Sequence, residues 1–233
     1  MKLVIFDLDQ TLVDFISVHD EATLRLFRQF FGVDARLTEI DFAGRSLLDN
    51  FAELANQKGV SKERVRENAR ELVESYERFF GESLPEDAPK HILPGAKELL
   101  EALSQTDNLI ALYTGDSEGI VKRVFQATGL GKYFKFSVYG TEAKSRADMV
   151  RLALDRAEKL AGKRFKDKDI VIIGDSIRDV ECGKEFNALT IAVATGFHSR
   201  EQLLATGPDY LFNSLEDYRK VLEAITSESV RAW

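Results

Sequence analysis

Cysteine occurs once in this chain, as Cys182, so no intrachain disulfide can form, which fits a reducing compartment. No neighbouring residue marks Cys182 as a nucleophile, and a packing role on a helix is expected. No apolar stretch reaches the length of a membrane span. The apolar start Met1–Phe6 is broken by Asp7 and Asp9 too early for a signal peptide, so a cytoplasmic location is expected. Positive charge is in deficit: the net charge is −7 and the isoelectric point about 5.2. That balance argues against general binding to nucleic acid or anionic membrane. Internal repeats, low-complexity segments, a Walker A sequence and a Gly-x-Gly-x-x-Gly sequence are all absent. What remains is a globular composition, 44% hydrophobic over 233 residues, enough for one large domain or two small ones.

Residues 2–6 are apolar after Lys2 and predict a short buried strand. Ala22, Leu24, Leu26, Phe27, Phe30 and Phe31 recur at helical spacing, and Gly32 closes that segment. Residues 46–57 and 61–80 predict two more helices, the second opened by Ser61. Strand-like alternation is missing from residues 15–88, which predicts an all-helical insert with Tyr76, Phe79 and Phe80 in its core. The stretch from Gly81 to Pro89 reads as a linker, and Pro94 as the opening of a helix over 95–104. Strands near 108–113, 135–139, 169–173 and 189–194 then alternate with helices near 117–128, 145–161, 176–186, 199–205 and 214–225. Such alternation predicts a parallel sheet covered on both faces. The expected fold is therefore α/β: a doubly wound parallel-sheet core, residues 1–14 and 89–233, with a helical cap at 15–88. Hinges are expected near residue 15 and at 85–90, and residues 227–233 read as a tail.

Two acidic pairs stand at the ends of predicted strands: Asp7 and Asp9 after Val4-Ile5-Phe6, and Asp175 and Asp179 after Val171-Ile172-Ile173-Gly174. Carboxylates there face the crevice in which parallel sheets bind ligands. Oxygen donors without a neighbouring thiolate or imidazole suit a hard cation such as Mg2+. Position six of an EF-hand loop would fall on Leu12 rather than glycine, which disfavours that reading.

This pattern resembles the haloacid dehalogenase superfamily in all of its motifs, taken in order. Asp7, Asp9 and Thr11 match its Asp-x-Asp-x-Thr, Thr114 its strand ending in Thr or Ser, Lys144 its lysine near a helix start, and Gly174–Asp179 its Gly-Asp-Ser-x-x-Asp. The resemblance implies a Rossmann-like core and a Mg2+-dependent hydrolase that passes a phosphoryl group through Asp7 as nucleophile. Asp9 would act as general acid and base and give a backbone carbonyl to the metal; Asp175 would ligate it directly. Asp179, one helical turn on, is expected in the metal site, either as a ligand or through a water or Lys144. Thr114 and the Gly115 N–H would hold the phosphoryl group, with Thr11 fixing the loop and Lys144, rather than Lys132 or Lys135, neutralising charge. Gln10 stands where relatives often have glycine. Arg45 is a candidate for an anionic group of the substrate; His19 either faces the site or lies exposed on its helix.

The pattern resembles the phosphoglycolate phosphatase-like enzymes in particular, which implies a small phosphorylated metabolite as substrate, and a monomer or homodimer is expected. A β-phosphoglucomutase-like phosphotransferase shares the pattern and stays open, as does a non-catalytic scaffold, which the complete set of carboxylates disfavours. Asp9 argues against a dehalogenase.

Overall fold

In a computed structural model that describes residues 1–227, six parallel strands form one sheet. Of the expected tail, Glu228 to Trp233 lie outside the described residues. The strands are β1 (Leu3–Phe6), β2 (Leu109–Thr114), β3 (Phe136–Tyr139), β4 (Ile170–Gly174), β5 (Leu189–Val193) and β6 (Tyr210–Phe212). Their order is β3-β2-β1-β4-β5-β6, with every pairing parallel. The chain winds one way from β1 to β3 and the other way from β4 to β6, so the switch point lies between β1 and β4.

Period-two alternation divides each strand between two cores. Val4, Phe6, Ile110 and Leu112 join the cluster under α5 (Ala96–Ser104), α6 (Glu118–Thr128) and α10 (Tyr218–Thr226). Leu3, Ile5, Ala111 and Tyr113 join the opposite cluster under α7 (Arg146–Ala161) and α8 (Ile177–Glu185). Cys182 sits in that second cluster, 4% exposed, in the packing role expected of it. The edge strand β6 escapes sequence reading because three residues are too few to show alternation. It is held beside β5 by Asp209, whose carboxylate accepts from the Thr190 N–H at 2.8 Å.

The insert between β1 and β2 is helical: α1 (Ile16–Phe31), α2 (Leu47–Gln57), α3 (Lys62–Glu67) and α4 (Ala69–Ser83). Its core is aromatic. Phe51 packs edge-on against Phe27 and Tyr76, with ring centroids 6.2 and 5.1 Å apart. The single helix expected over 61–80 is broken at Asn68, whose side-chain amide donates to the Arg64 carbonyl at 2.7 Å and ends α3 there. Conversely, α4 runs into the expected linker, through Gly81 to Ser83. Arg123 of α6 lies alongside, donating to the Glu77 carbonyl one turn earlier at 2.8 Å.

The cap rests on the core through the loop before α2. Arg178 donates to Asp41 at 2.7 Å and to the Ala43 carbonyl at 2.6 Å, and the Leu47 N–H donates to the Gly115 carbonyl at 2.9 Å. Two glycines permit this approach. Gly44 has φ of +71°, and a Cβ on it would meet Ser176 Oγ at 2.6 Å and Arg178 Cβ at 2.9 Å. A Cβ on Gly115 would run into the Arg45 carbonyl.

Candidate active site

The Asp7 N–H donates to the Ile173 carbonyl at 2.9 Å, extending the β1–β4 ladder by one residue and aiming Asp7 into the switch-point crevice. Asp175 follows β4 on the other side of that crevice. Asp179 reaches it from the first turn of α8, whose N-cap, Ser176, exchanges capping-box hydrogen bonds with it. One oxygen each from Asp7, Asp175 and Asp179 falls within a cluster 4.8 Å across, and all three residues are buried. The Thr11 hydroxyl lies 3.2 Å from Asp175 Oδ1 and 3.5 Å from Asp7 Oδ2.

Arg146, the first residue of α7, supplies the positive charge. Its Nη2 lies 2.6 Å from Asp7 Oδ1, its Nε 2.8 Å from Asp179 Oδ1, and its guanidinium 4.1 Å from the Tyr113 ring centroid. Asp179 also accepts from the Tyr113 hydroxyl and from Ser176 Oγ, the latter at 2.6 Å. Both Asp179 oxygens are thus engaged, leaving Asp7 and Asp175 as the freer donors.

Burial pushes Asp7 up to about 7, with Asp179 and Asp9 adding to the rise and Arg146 opposing it. Burial, then the charges of Asp7 and Asp179, raises Asp175 well above the carboxylate range. Burial works the same way on Asp179, but Arg146 and its hydrogen bonds overcome it and hold that carboxyl low. With all three carboxylates ionised against one guanidinium, negative charge would be in excess out of water, and the raised Asp7 and Asp175 express that excess. A divalent cation among oxygen donors answers that excess, so these residues fit Mg2+.

The Asp9 carboxylate turns away from this cluster toward the cap. His19 Nε2 lies 3.2 Å from Asp9 Oδ1 and 3.9 Å from Asp116 Oδ2, while His19 Nδ1 meets the Tyr76 hydroxyl at 2.8 Å. Burial disfavours a charged His19, but Asp9 and Asp116 outweigh it and raise the imidazole to about 9. Burial and the Asp9 charge raise Asp116 well above its ordinary value. Core and cap border a cleft whose cavity is about 60 Å3, lined by Asp7, Asp9, Asp116, His19, Asn50 and Arg146 among others. Among the described residues, the buried side-chain atoms without a hydrogen-bond partner are Asn50 Oδ1, Asp116 Oδ2, Arg146 Nη1 and His198 Nδ1, and the first three belong to residues lining this cavity. An unsatisfied buried polar group costs about 1–3 kcal/mol, so the cavity is set to receive polar partners.

The family model for haloacid dehalogenase-like hydrolases matches residues 4–193. The chain belongs to that family. A phosphoglycolate phosphatase from Synechococcus elongatus is 27% identical over 97% of this chain and 98% of its own length. A phosphoglycolate phosphatase from Vibrio vulnificus is also 27% identical, over 92% of this chain and 93% of its own. A β-phosphoglucomutase structure from Clostridium difficile, 18% identical, superposes with a TM-score of 0.76 over 99% of this chain and 100% of its own, and shows the same fold. Family and relatives together make the chain a phosphatase-type hydrolase.

Within this haloacid dehalogenase-like site, Asp7, Thr114, Gly115, Asp175 and Asp179 lie together. Lys144 does not join them: it is exposed, one residue before Ser145, whose hydroxyl caps α7 by accepting from the Asp148 N–H at 3.1 Å. Helix geometry turns the first helical residue inward instead, and that residue is Arg146. Thr11 is fully buried behind the carboxylates, its hydroxyl against Asp175 and Asp7. Thr114 Oγ1 accepts from the Asp116 N–H at 3.2 Å, and Ser117, not Thr114, caps α6. Arg45 lines the cavity, its Nη1 3.4 Å from the Asp41 carbonyl and its Nη2 4.0 Å from Glu53. His19 is 4% exposed and faces the site, overturning the exposed alternative. Tyr76 is core, as expected, yet its hydroxyl serves His19. Asn50 and Asp116 carry no motif that sequence reasoning could have used. Gln10 takes φ of +59°, a left-handed conformation that explains the glycine common there, and its amide donates to Asp14 at 2.6 Å.

Proposed function

We propose that the protein hydrolyses a small-metabolite phosphate monoester in a Mg2+-dependent reaction with Asp7 as nucleophile. The observation that carries this reading is the buried set Asp7, Asp175, Asp179 and Arg146 at the sheet's switch point, with Asp9 held beside it by His19. Mg2+ would be held by Asp7, Asp175 and the Asp9 backbone carbonyl, where it would offset charge repulsion between the nucleophile and phosphate oxygens. Arg146 takes the part expected of Lys144: it orients Asp7, and its unpartnered Nη1 is a donor for a phosphate oxygen. The Thr114 hydroxyl and the Gly115 N–H donate to the phosphoryl group. Asp9 gives a proton to the leaving alkoxide, then takes one from the water that releases phosphate from Asp7. Asp179 positions Arg146.

The division between core and cap falls at residues 14/15 and 88/89, the cap moving about those crossings. A cavity of about 60 Å3 has room for only a few waters, so the cap opens to admit an ester and closes to exclude bulk water. The relatives' names suggest phosphoglycolate as the reference compound. Phosphate release from a panel of metabolite phosphates, with Mg2+ and with a chelator, tests the reading. Mg2+-dependent release is expected. Transfer of the phosphoryl group to a second hydroxyl of a sugar phosphate, with little free phosphate, would make the enzyme a mutase instead.

A further inference from the structure

The loop from Ala194 to Ser199, between β5 and α9 (Arg200–Ala205), touches both the carboxylate site and the cap. Each of its ends is fastened to the core. The Ala194 N–H donates to the Phe212 carbonyl at 2.9 Å. The Ser199 N–H donates to Gln202 Oε1 at 2.7 Å, in the capping box of α9.

Between those anchors, four consecutive residues face two ways. Thr195 and Gly196 meet the site. The Thr195 hydroxyl donates to the Gln10 carbonyl. Gln10 follows Asp9 and holds a left-handed φ of +59°, which a residue with a side chain keeps only where its surroundings impose it. Gly196 lies against Asp175: a Cβ on it would run into Asp175 Oδ2. The other oxygen of that carboxylate meets the Thr11 hydroxyl at 3.2 Å, so Asp175 is placed from both sides. Phe197 and His198 meet the cap. The Phe197 ring packs edge-on against Phe42 with centroids 4.7 Å apart, and His198 Nε2 lies 3.7 Å from Asp41 Oδ1.

Phe197 is 52% exposed even with Phe42 upon it. Lifting the cap loop would expose more of both rings, so burial there favours the seated cap. Gly196 and Phe197 are neighbours in the chain, and a segment of four residues spans at most roughly 13 Å. A shift of the Phe197 backbone therefore reaches the contact with Asp175.

We propose that Phe197 and His198 are positioning residues: gripped by the seated cap, they hold the loop so that Gly196 sets Asp175 for Mg2+ and Thr195 sets the Asp9–Gln10 turn. Cap closure and metal binding then favour each other, because linked equilibria are reciprocal. This rests on the proposed Mg2+-dependent phosphatase and adds to it a route from cap to metal.

The test titrates Mg2+ alone into the full chain by calorimetry, for the wild type, Phe197→Ala, Phe42→Ala, the double variant and His198→Gln. Circular dichroism and melting temperature check each fold, and kcat and KM on p-nitrophenyl phosphate are measured alongside. Phe197→Ala and Phe42→Ala are each expected to weaken Mg2+ binding about fivefold, the low end of coupling between sites, with the melting temperature nearly unchanged. The double variant should be no weaker than the worse single one, because both substitutions remove the same contact. His198→Gln should weaken Mg2+ in the same direction, and it carries the test if Phe197→Ala folds poorly. A loop that serves merely to close the cap would raise KM and leave Mg2+ affinity at the wild-type value. That result overturns this inference alone. No Mg2+ binding by the wild type, with no phosphate released, overturns the phosphatase reading and this inference with it.

Discussion

At the scale of single residues, the chemistry turns on which basic side chain stands beside Asp7. Arg146 is in contact with Asp7 and Asp179, whereas Lys144 is exposed. Arg146→Ala is expected to lower kcat about 10²–10³-fold, the range for losing one preorganised donor. Lys144→Ala is expected to stay near wild-type activity in the same assay. The reverse pattern would restore Lys144 to the site. Asp7 and Asp175 were legible because each follows an apolar strand directly, so sequence position dictates where it points. Arg146 was not, because whether position 144 or 146 faces inward depends on where α7 begins. That start is set by the Ser145 cap rather than by composition. Asn50, Asp116 and the His19–Tyr76 contact bring together residues far apart in sequence, which no local pattern encodes. Cys182 is legible as packing, and burial pushes its thiol up to about 12. Alkylation of the native protein near pH 8 should be slow and should become fast on unfolding.

At the scale of elements, the parallel sheet was readable from apolar runs alternating with helical spacing. The failures came where tertiary contacts decide. Asn68 splits a periodic segment by bonding its own preceding turn, Arg123 reaches α4 at the Glu77 carbonyl just before its run into Gly81–Ser83, and Asp209 secures a three-residue strand. Helices of the cap are held by their aromatic faces. Phe27 is fully buried against Phe31 and Phe51, and Phe27→Ala should cost about 3–5 kcal/mol in a denaturant titration. At the seam between cap and core, Arg178 donates both to Asp41 and to the Ala43 carbonyl. Arg178→Ala should leave the melting temperature nearly unchanged while raising KM several-fold, because side-chain contacts at a partly exposed seam contribute about 0–1 kcal/mol each. An unchanged KM would remove that contact from the closing of the cap.

At the scale of the whole molecule, sheet topology and cap divide the chemistry. The switch point between β1 and β4 gathers the carboxylates and Arg146, and the cap brings His19, Tyr76 and Asn50 over them. No described helix is long and apolar enough to cross a membrane. The proposed mechanism stands or falls on Asp7 carrying the phosphoryl group between ester and water. Mixing enzyme, Mg2+ and a turned-over ester, quenching in acid within one turnover and reducing with borohydride probes that step, since an acyl phosphate is reduced to an alcohol and a free carboxylate is not. Peptide mapping is expected to find residue 7 reduced to homoserine, and Asp7→Asn to abolish both this product and turnover. Full turnover with residue 7 unmodified, or an active Asp7→Asn enzyme, would contradict it.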